Sequence, residues 1–223
     1  MHRHAAFQLV LAPRGEAALA GADGRVVRAP ALLVPPMTAH RMVPAEDLLT
    51  LFVEPDSAFA DRLRAHGGCG AGIVAVPELY GLAATGPGPA AALPSALLDP
   101  RLLAAAVLLD GLEGEPGEPV PMELVAARVG LSPQRLRALA RQQLGVPLVR
   151  RRIWLKLRRS ARALGEGRSP AEAAAAGGFA DQAHLSRRMR EMTGMTPAAV
   201  LRVLLASAAG AAGDVHRDGP GHG

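Results

Sequence analysis

Glu123-Leu-Val-Ala126-Ala-Arg-Val-Gly130-Leu-Ser132-Pro133-Gln-Arg-Leu136 has a second copy further along the chain, Ala171-Glu-Ala-Ala174-Ala-Ala-Gly-Gly178-Phe179-Ala-Asp181-Gln-Ala-His-Leu185. In each copy an alanine stands four residues before a glycine, a capping residue follows the glycine, and a leucine lies one turn further on. Two short helices cross closely only where a small residue faces the partner, which Ala126 and Ala174 supply. The turn between them needs a residue that accepts positive φ, and Gly130 and Gly178 occupy it. Ser132 is read as an N-cap with Pro133 at the first helical position, and Asp181 as the cap of the second copy's last helix. Ser169-Pro170-Ala-Glu172 reads as a capping box that opens the second copy.

Each copy therefore has the marks of a helix-turn-helix. The spacing predicts recognition helices from Gln134 to about Leu144 and from Gln182 to about Met192. A connecting helix from about Leu148 to Leu164 joins them, with Ile153, Trp154, Leu157 and Leu164 as its apolar stripe. Arg150, Arg151, Arg158, Arg159 and Arg162 stand on its other face, some to meet phosphates and others to be solvated. An earlier helix, Asp99-Pro100 to about Leu112, shows Leu103, Val107 and Leu108 on one face.

The stretch resembles the DNA-binding domain of the AraC/XylS family of transcription regulators. The matching residues are Leu-Ser-Pro at 131–133, Arg-Gln-Gln-Leu-Gly at 141–145, Gly178-Phe179, Asp181-Gln182, Leu185-Ser186-Arg187 and the ending Thr193-Gly194-Met195-Thr196-Pro197. The resemblance covers roughly residues 99–205. It implies base contacts from the N-terminal parts of the recognition helices, at Gln134, Arg135 and Ala138 in the first and at Gln182, Ala183, His184 and Arg187 in the second; Arg137 and Arg188 are further DNA-binding candidates. Many family members carry arginine where this chain has Ala138 and an aromatic where it has Ala140. The second unit is therefore expected to carry more of the specificity.

Charge agrees with that division. Residues 119–205 hold 16 Lys and Arg against five Asp and Glu, whereas residues 1–118 hold eight basic and 13 acidic residues. A basic half beside an acidic half is the electrostatic footprint of a nucleic-acid reader. Only Trp154 and Phe179 are aromatic within 119–205, too few for the stacking that single-stranded RNA recognition uses. The one cysteine, Cys69, excludes an intrachain disulfide. With no signal peptide and no apolar run of membrane length, a cytoplasmic protein with no membrane partner is expected.

The amino-terminal part reads as short β segments at Phe7–Ala12, Ala17–Ala20, Val26-Val27, Ala31–Val34 and Leu48–Val53, which suggests a small barrel or sandwich. A helix over Glu54–His66 follows, with Phe59 and Leu63 four apart. In the AraC family this domain is commonly cupin-like, and the trailing helix often serves dimerisation, which the resemblance extends to Phe59 and Leu63; packing against the barrel is the alternative. The string His2-x-His4-x3-Gln8 with a distant His40 is similar to a cupin's metal-site pattern, although these histidines stand at the very start of the chain. His4, Gln8 and His40 are the ligand-binding candidates. No metal or other cofactor is assigned, and His2, His4 and His40 are the candidates should one bind.

The expected fold class is thus α+β, a small partial cupin-like β domain followed by an all-α domain of two helix-turn-helix units joined by a long helix. The expected layout is a sensor or dimerisation domain with its trailing helix (1–66), a linker region (67–98), the DNA-binding domain (99–206) and a disordered tail (207–223). The expected function is a sequence-specific regulator rather than an enzyme, with double-stranded DNA as partner. A small-molecule effector and a second copy of the chain are further implied partners, and RNA polymerase would join them if the chain activates. The alternative is a small metal-dependent cupin-type enzyme fused to a DNA-binding module.

Overall fold

The computed structural model describes residues 1–45, 47–67, 72–86, 88–89, 92–112 and 120–203. Cys69, most of the connector at 111–119 and the expected tail lie outside the described residues.

Among the described residues, seven strands form the amino-terminal domain: β1 (Phe7–Leu11), β2 (Ala17–Gly21), β3 (Val26–Ala29), β4 (Ala31–Val34), β5 (His40–Met42), β6 (Leu49–Val53) and β7 (Val74–Ala75). They make two antiparallel sheets, in the orders β6-β1-β4-β7 and β3-β2-β5. β1 and β4 are buried along their whole length because both faces of their sheet are covered. Phe7, Leu9, Leu11 and Leu33 face one way, onto Phe59, Ala60 and Leu63 of α1 (Ala58–His66). Val10, Leu32 and Val34 face the other way, onto Ala17, Leu19 and Ala29 of the second sheet. Alternate side chains on a strand point to opposite faces, so Gln8 shares the inner face with Val10 and is 2% exposed.

One expectation changes here and two become specific. The helix read from Glu54 begins at Ala58, because Ser57 is its N-cap and accepts a hydrogen bond from the Ala60 amide at 3.1 Å. Phe59 and Leu63 are fully buried against the sheet, so packing is their role and neither can meet a second copy. The stretch 67–98, where loop, a short strand and linker are expected, holds such a strand. β7 pairs with β4, and Val76 and Leu79, the latter in a 3-10 turn over Pro77–Leu79, join the core beneath α1. A short helix, α2 (Leu82–Thr85), follows.

The helical domain contains α3 (Pro100–Leu112), α4 (Met122–Arg128), α5 (Pro133–Leu139), α6 (Leu148–Gly165), α7 (Pro170–Ala176) and α8 (Gln182–Thr193), and residues 197–203 are helical again. One core of leucines, alanines and methionines runs through all of them, and Ala5 and Ala6 from the amino terminus join it. α3 buries Leu102, Ala105, Ala106 and Leu109, whereas Val107 is 71% exposed. The expected face of Leu103, Val107 and Leu108 is wrong by about one residue, since the run Leu102-Leu-Ala-Ala-Ala-Val-Leu-Leu109 is apolar all round and carries no directional signal. No helix of the described residues is long and apolar enough to cross a membrane.

Candidate nucleic-acid interface

The two turns share the same pair of backbone hydrogen bonds. In the first, Gly130 (φ 67°) donates to the Ala127 carbonyl at 3.1 Å and Leu131 to the Ala126 carbonyl at 2.9 Å. In the second, Gly178 (φ 72°) donates to the Ala175 carbonyl and Phe179 to the Ala174 carbonyl, both at 2.9 Å. Ala126 and Ala174 are buried, as close helix crossing requires. Ser132 Oγ accepts from the Arg135 amide at 3.2 Å, and Asp181 Oδ1 accepts from the His184 amide at 2.6 Å. Ser169 and Glu172 complete a reciprocal capping box. Leu136 and Leu185 are fully buried and anchor the two recognition helices, α5 and α8, one turn in.

That anchoring decides which side chains face outward. On α5, Gln134, Arg135 and Arg137 are exposed, with Arg137 3.5 Å from Glu123. The helix then widens into a π turn over Ala140–Leu144 that Gly145 closes at φ 72°. Ala140 is fully buried there. On α8, Gln182 and Arg187 are exposed, and Arg187 makes no ion pair among the described residues. Arg188 is held 2.8 Å from Glu191, which also accepts from Arg150 of α6. Those two cations hold the Glu191 carboxyl below the usual glutamate range. His184 is half-buried, its ring edge-on to Phe179 at 5.3 Å, so it packs the turn.

A close approach that the sequence did not flag joins the second unit to α6. A Cβ on Gly177 would lie 2.0 Å from Ser160 Oγ and 2.8 Å from the Lys156 carbonyl oxygen, so only glycine lets α7 end there. Its signal in the sequence is the doubled glycine at 177–178.

α6 also faces the amino-terminal domain, and this corrects the reading of Arg151. Arg151 is 3% exposed and lies 2.9 Å from Asp56 Oδ2 and 3.3 Å from Glu54 Oε2, out of reach of any phosphate. Glu54 Oε1 also accepts from Trp154 Nε1 at 2.9 Å and lies 3.0 Å from Arg158. The turn between β6 and α1 thus clamps one face of the helix that connects both reading units. Trp154 sits between the domains, 5.2 Å from the Phe52 ring and 6.0 Å from that of His4. Arg159 has its guanidinium enclosed with no hydrogen-bond partner among the described residues.

The amino-terminal candidates come together beside this clamp. His4 and His40 are fully buried and each places Nε2 2.8 Å from Gln8 Oε1. His2 pairs with His40 through two backbone hydrogen bonds, and their rings are 4.2 Å apart. Burial pushes His4 down to about 4, with the neighbouring His40 adding to the effect. It likewise pushes His2 down to about 3 and lowers His40, so all three rings are neutral near pH 7.

Comparison with known proteins follows the same outline. A family model described as a helix-turn-helix domain matches residues 125–202. A transcriptional regulator with an AraC-type DNA-binding domain from Chromobacterium violaceum is 26% identical, covering 47% of this chain and 92% of that one, with a TM-score of 0.43. An apo variant of ToxT from Vibrio cholerae is similar over 91% of both chains, with a TM-score of 0.59 and 10% identity. Unsaturated fatty acid-bound ToxT is similar over 90% of this chain and 88% of that one, with a TM-score of 0.54 and 9% identity. At such identity the ToxT likeness is one of fold, and it spans both domains. No match was found among curated protein sequences.

Proposed function

We propose that this chain, a transcription regulator of the AraC/XylS type by its helix-turn-helix domain and its two-domain fold, reads two successive major grooves of double-stranded DNA with α5 and α8. The observation that carries the reading is the doubled turn, with matching hydrogen bonds at Gly130 and Gly178 and exposed polar side chains at the start of the helix that follows each. A recognition helix in the major groove reads base edges through residues near its N-terminus. Gln182 and Arg187 carry the second half-site, and Gln134, Arg135 and Arg137 the first. Arg188 and His184, both engaged within the protein, support that surface rather than lead it.

The amino-terminal domain tunes this reading through the Glu54–Asp56 clamp on α6, since a ligand that favours one arrangement of the two domains shifts how the readers are presented. ToxT has been solved with an unsaturated fatty acid bound, which supports a small-molecule effector here as well. The helix-turn-helix match supports a regulator rather than an enzyme. On a duplex that the full chain binds, a hydroxyl-radical footprint will show two protected windows centred about 10–10.5 base pairs apart. A single short window would mean that only one unit enters a groove, and the two-reader function would fall.

A further inference from the structure

The second reading helix carries one acidic side chain that groove reading leaves without a role. Across the 12 residues of α8, Glu191 is the single carboxylate, beside Arg187, Arg188 and Arg190. A carboxylate on a surface that must approach phosphates opposes binding, so its presence there calls for a physical reason. It is no helix cap, unlike Asp181 and Glu172.

Its position supplies the reason. Residues four apart share a face of a helix, so Ala183, Arg187 and Glu191 form one exposed stripe. At a rise of about 1.5 Å per residue, Glu191 lies about 6 Å beyond Arg187 along the axis. Opposite charges at that spacing readily pair. These two do not, because both Glu191 oxygens are taken. Oε2 accepts from Arg188 Nη1 at 2.8 Å, and Oε1 accepts from Arg150 Nη1 of α6. The three side chains keep 41% (Arg188), 35% (Arg150) and 39% (Glu191) of their exposure, so the bridge stands at the surface and is no part of the core.

The bridge divides the arginines of the second unit. Arg187 is left free to bond a base edge, whereas Arg188 and Arg150 are tied to a carboxylate that a phosphate would have to displace. The first unit repeats the division more loosely, with Arg137 3.5 Å from Glu123 and Arg135 in no ion pair among the described residues. Phosphate contacts supply the sequence-independent part of binding, and base contacts supply the discrimination. On unrelated DNA a helix can slide and tilt until any free cation meets a phosphate. On the preferred site base contacts fix its register, so freed arginines gain less there. A repulsive group can therefore build specificity alongside the attractive ones.

We propose that Glu191 is a specificity-determining residue of the second reading unit. By holding Arg188 and Arg150 it lowers affinity for unrelated DNA more than for the preferred site, and its engagement with them keeps Arg187 free for a base. The inference rests on the DNA-reading function proposed above.

The test measures binding of the full chain to the duplex that the parent selects and to an unrelated duplex. Glu191→Gln keeps the size of the side chain and removes its charge. It should bind the unrelated duplex more tightly, with a salt slope steeper by about 0.9 for each arginine that reaches a phosphate, or roughly 3.5-fold of extra gain per arginine between about 200 and 50 mM salt. The preferred duplex should gain less, so the ratio of the two affinities falls. Adding Arg188→Ala should remove one contact's worth of the slope. Glu16→Gln, at an exposed residue of the β domain, makes the same change in net charge and should match the parent. Arg150→Ala with Arg188→Ala leaves Glu191 only Arg187 at helical spacing, so preference at the base that Arg187 reads should weaken, and Glu191→Gln should restore it. Equal gains on both duplexes, or an unchanged salt slope, overturn the proposal. A loss confined to the preferred duplex also overturns it, making Glu191 a holder of Arg188 for a base contact. A parent that prefers no duplex sinks the DNA-reading function instead.

Discussion

Glu54→Gln with Asp56→Asn will destabilise the chain by about 3 kcal/mol, the lower end of the cost of leaving a buried charge without its partners. Arg151 is 3% exposed, and its two carboxylates account for every hydrogen bond that its guanidinium makes among the described residues. The lower end applies because those carboxylates keep about a fifth of their exposure and are partly screened by water. Arg151→Met should cost distinctly less. It removes the buried cation and fills its space with apolar volume, while Glu54 retains Trp154 and Arg158. Urea denaturation of the three proteins checks the ordering. Equal losses, or a larger loss for Arg151→Met, would show that the clamp does not bury an otherwise costly charge. The clamp spans the domain boundary, so the double variant should also separate the unfolding of the β domain from that of the helices.

Arg187→Ala will erase base preference at one position of the second half-site, a loss of about 1–3 kcal/mol in discrimination, since arginine can bond guanine O6 and N7 together. Arg187 is exposed on α8 and has no ion pair among the described residues to hold it back. Arg137→Ala should relax specificity less, as its guanidinium already meets Glu123 and the next exposed position of that helix is only Ala138. Binding measured against each single-base variant of the preferred site separates the outcomes. A uniform loss across all variants, with the salt slope reduced by about one, would make Arg187 a phosphate contact. A greater loss of preference from Arg137→Ala would reverse the ranking of the two units.

Much of this fold was legible in local sequence because local chemistry dictates it. Gly130 and Gly178 fix the turns, and Ser132, Ser169 and Asp181 cap helices as their types and spacing require. The longer strands could be read from apolar runs, and a short one could be expected within 71–98, but β5, three residues long, could not. The clamp was invisible for another reason. Arg151 and Asp56 are 95 residues apart, and nothing in either neighbourhood distinguishes a clamped arginine from one that meets a phosphate. Glu54 and Asp56 read locally as the start of a helix, whereas they form the turn before it and reach α6. Gly177 was missed because its need for glycine comes from Ser160 and Lys156 on another helix rather than from its own φ of −81°. The histidines lie between these cases. Residues two apart on an extended strand share a face, as His2 and His4 do, but only the fold could bring His40 and Gln8 against them.

The central claim is that one chain carries two sequence-reading units. It is tested most directly by selecting random duplex DNA with the full-length protein and measuring the affinity of the winners against salt. The account predicts a two-part motif whose halves are centred about one helical turn apart, bound far more tightly than unrelated duplex at the same salt. Binding that falls steeply with salt and enriches no motif would leave phosphate contacts alone and would contradict it.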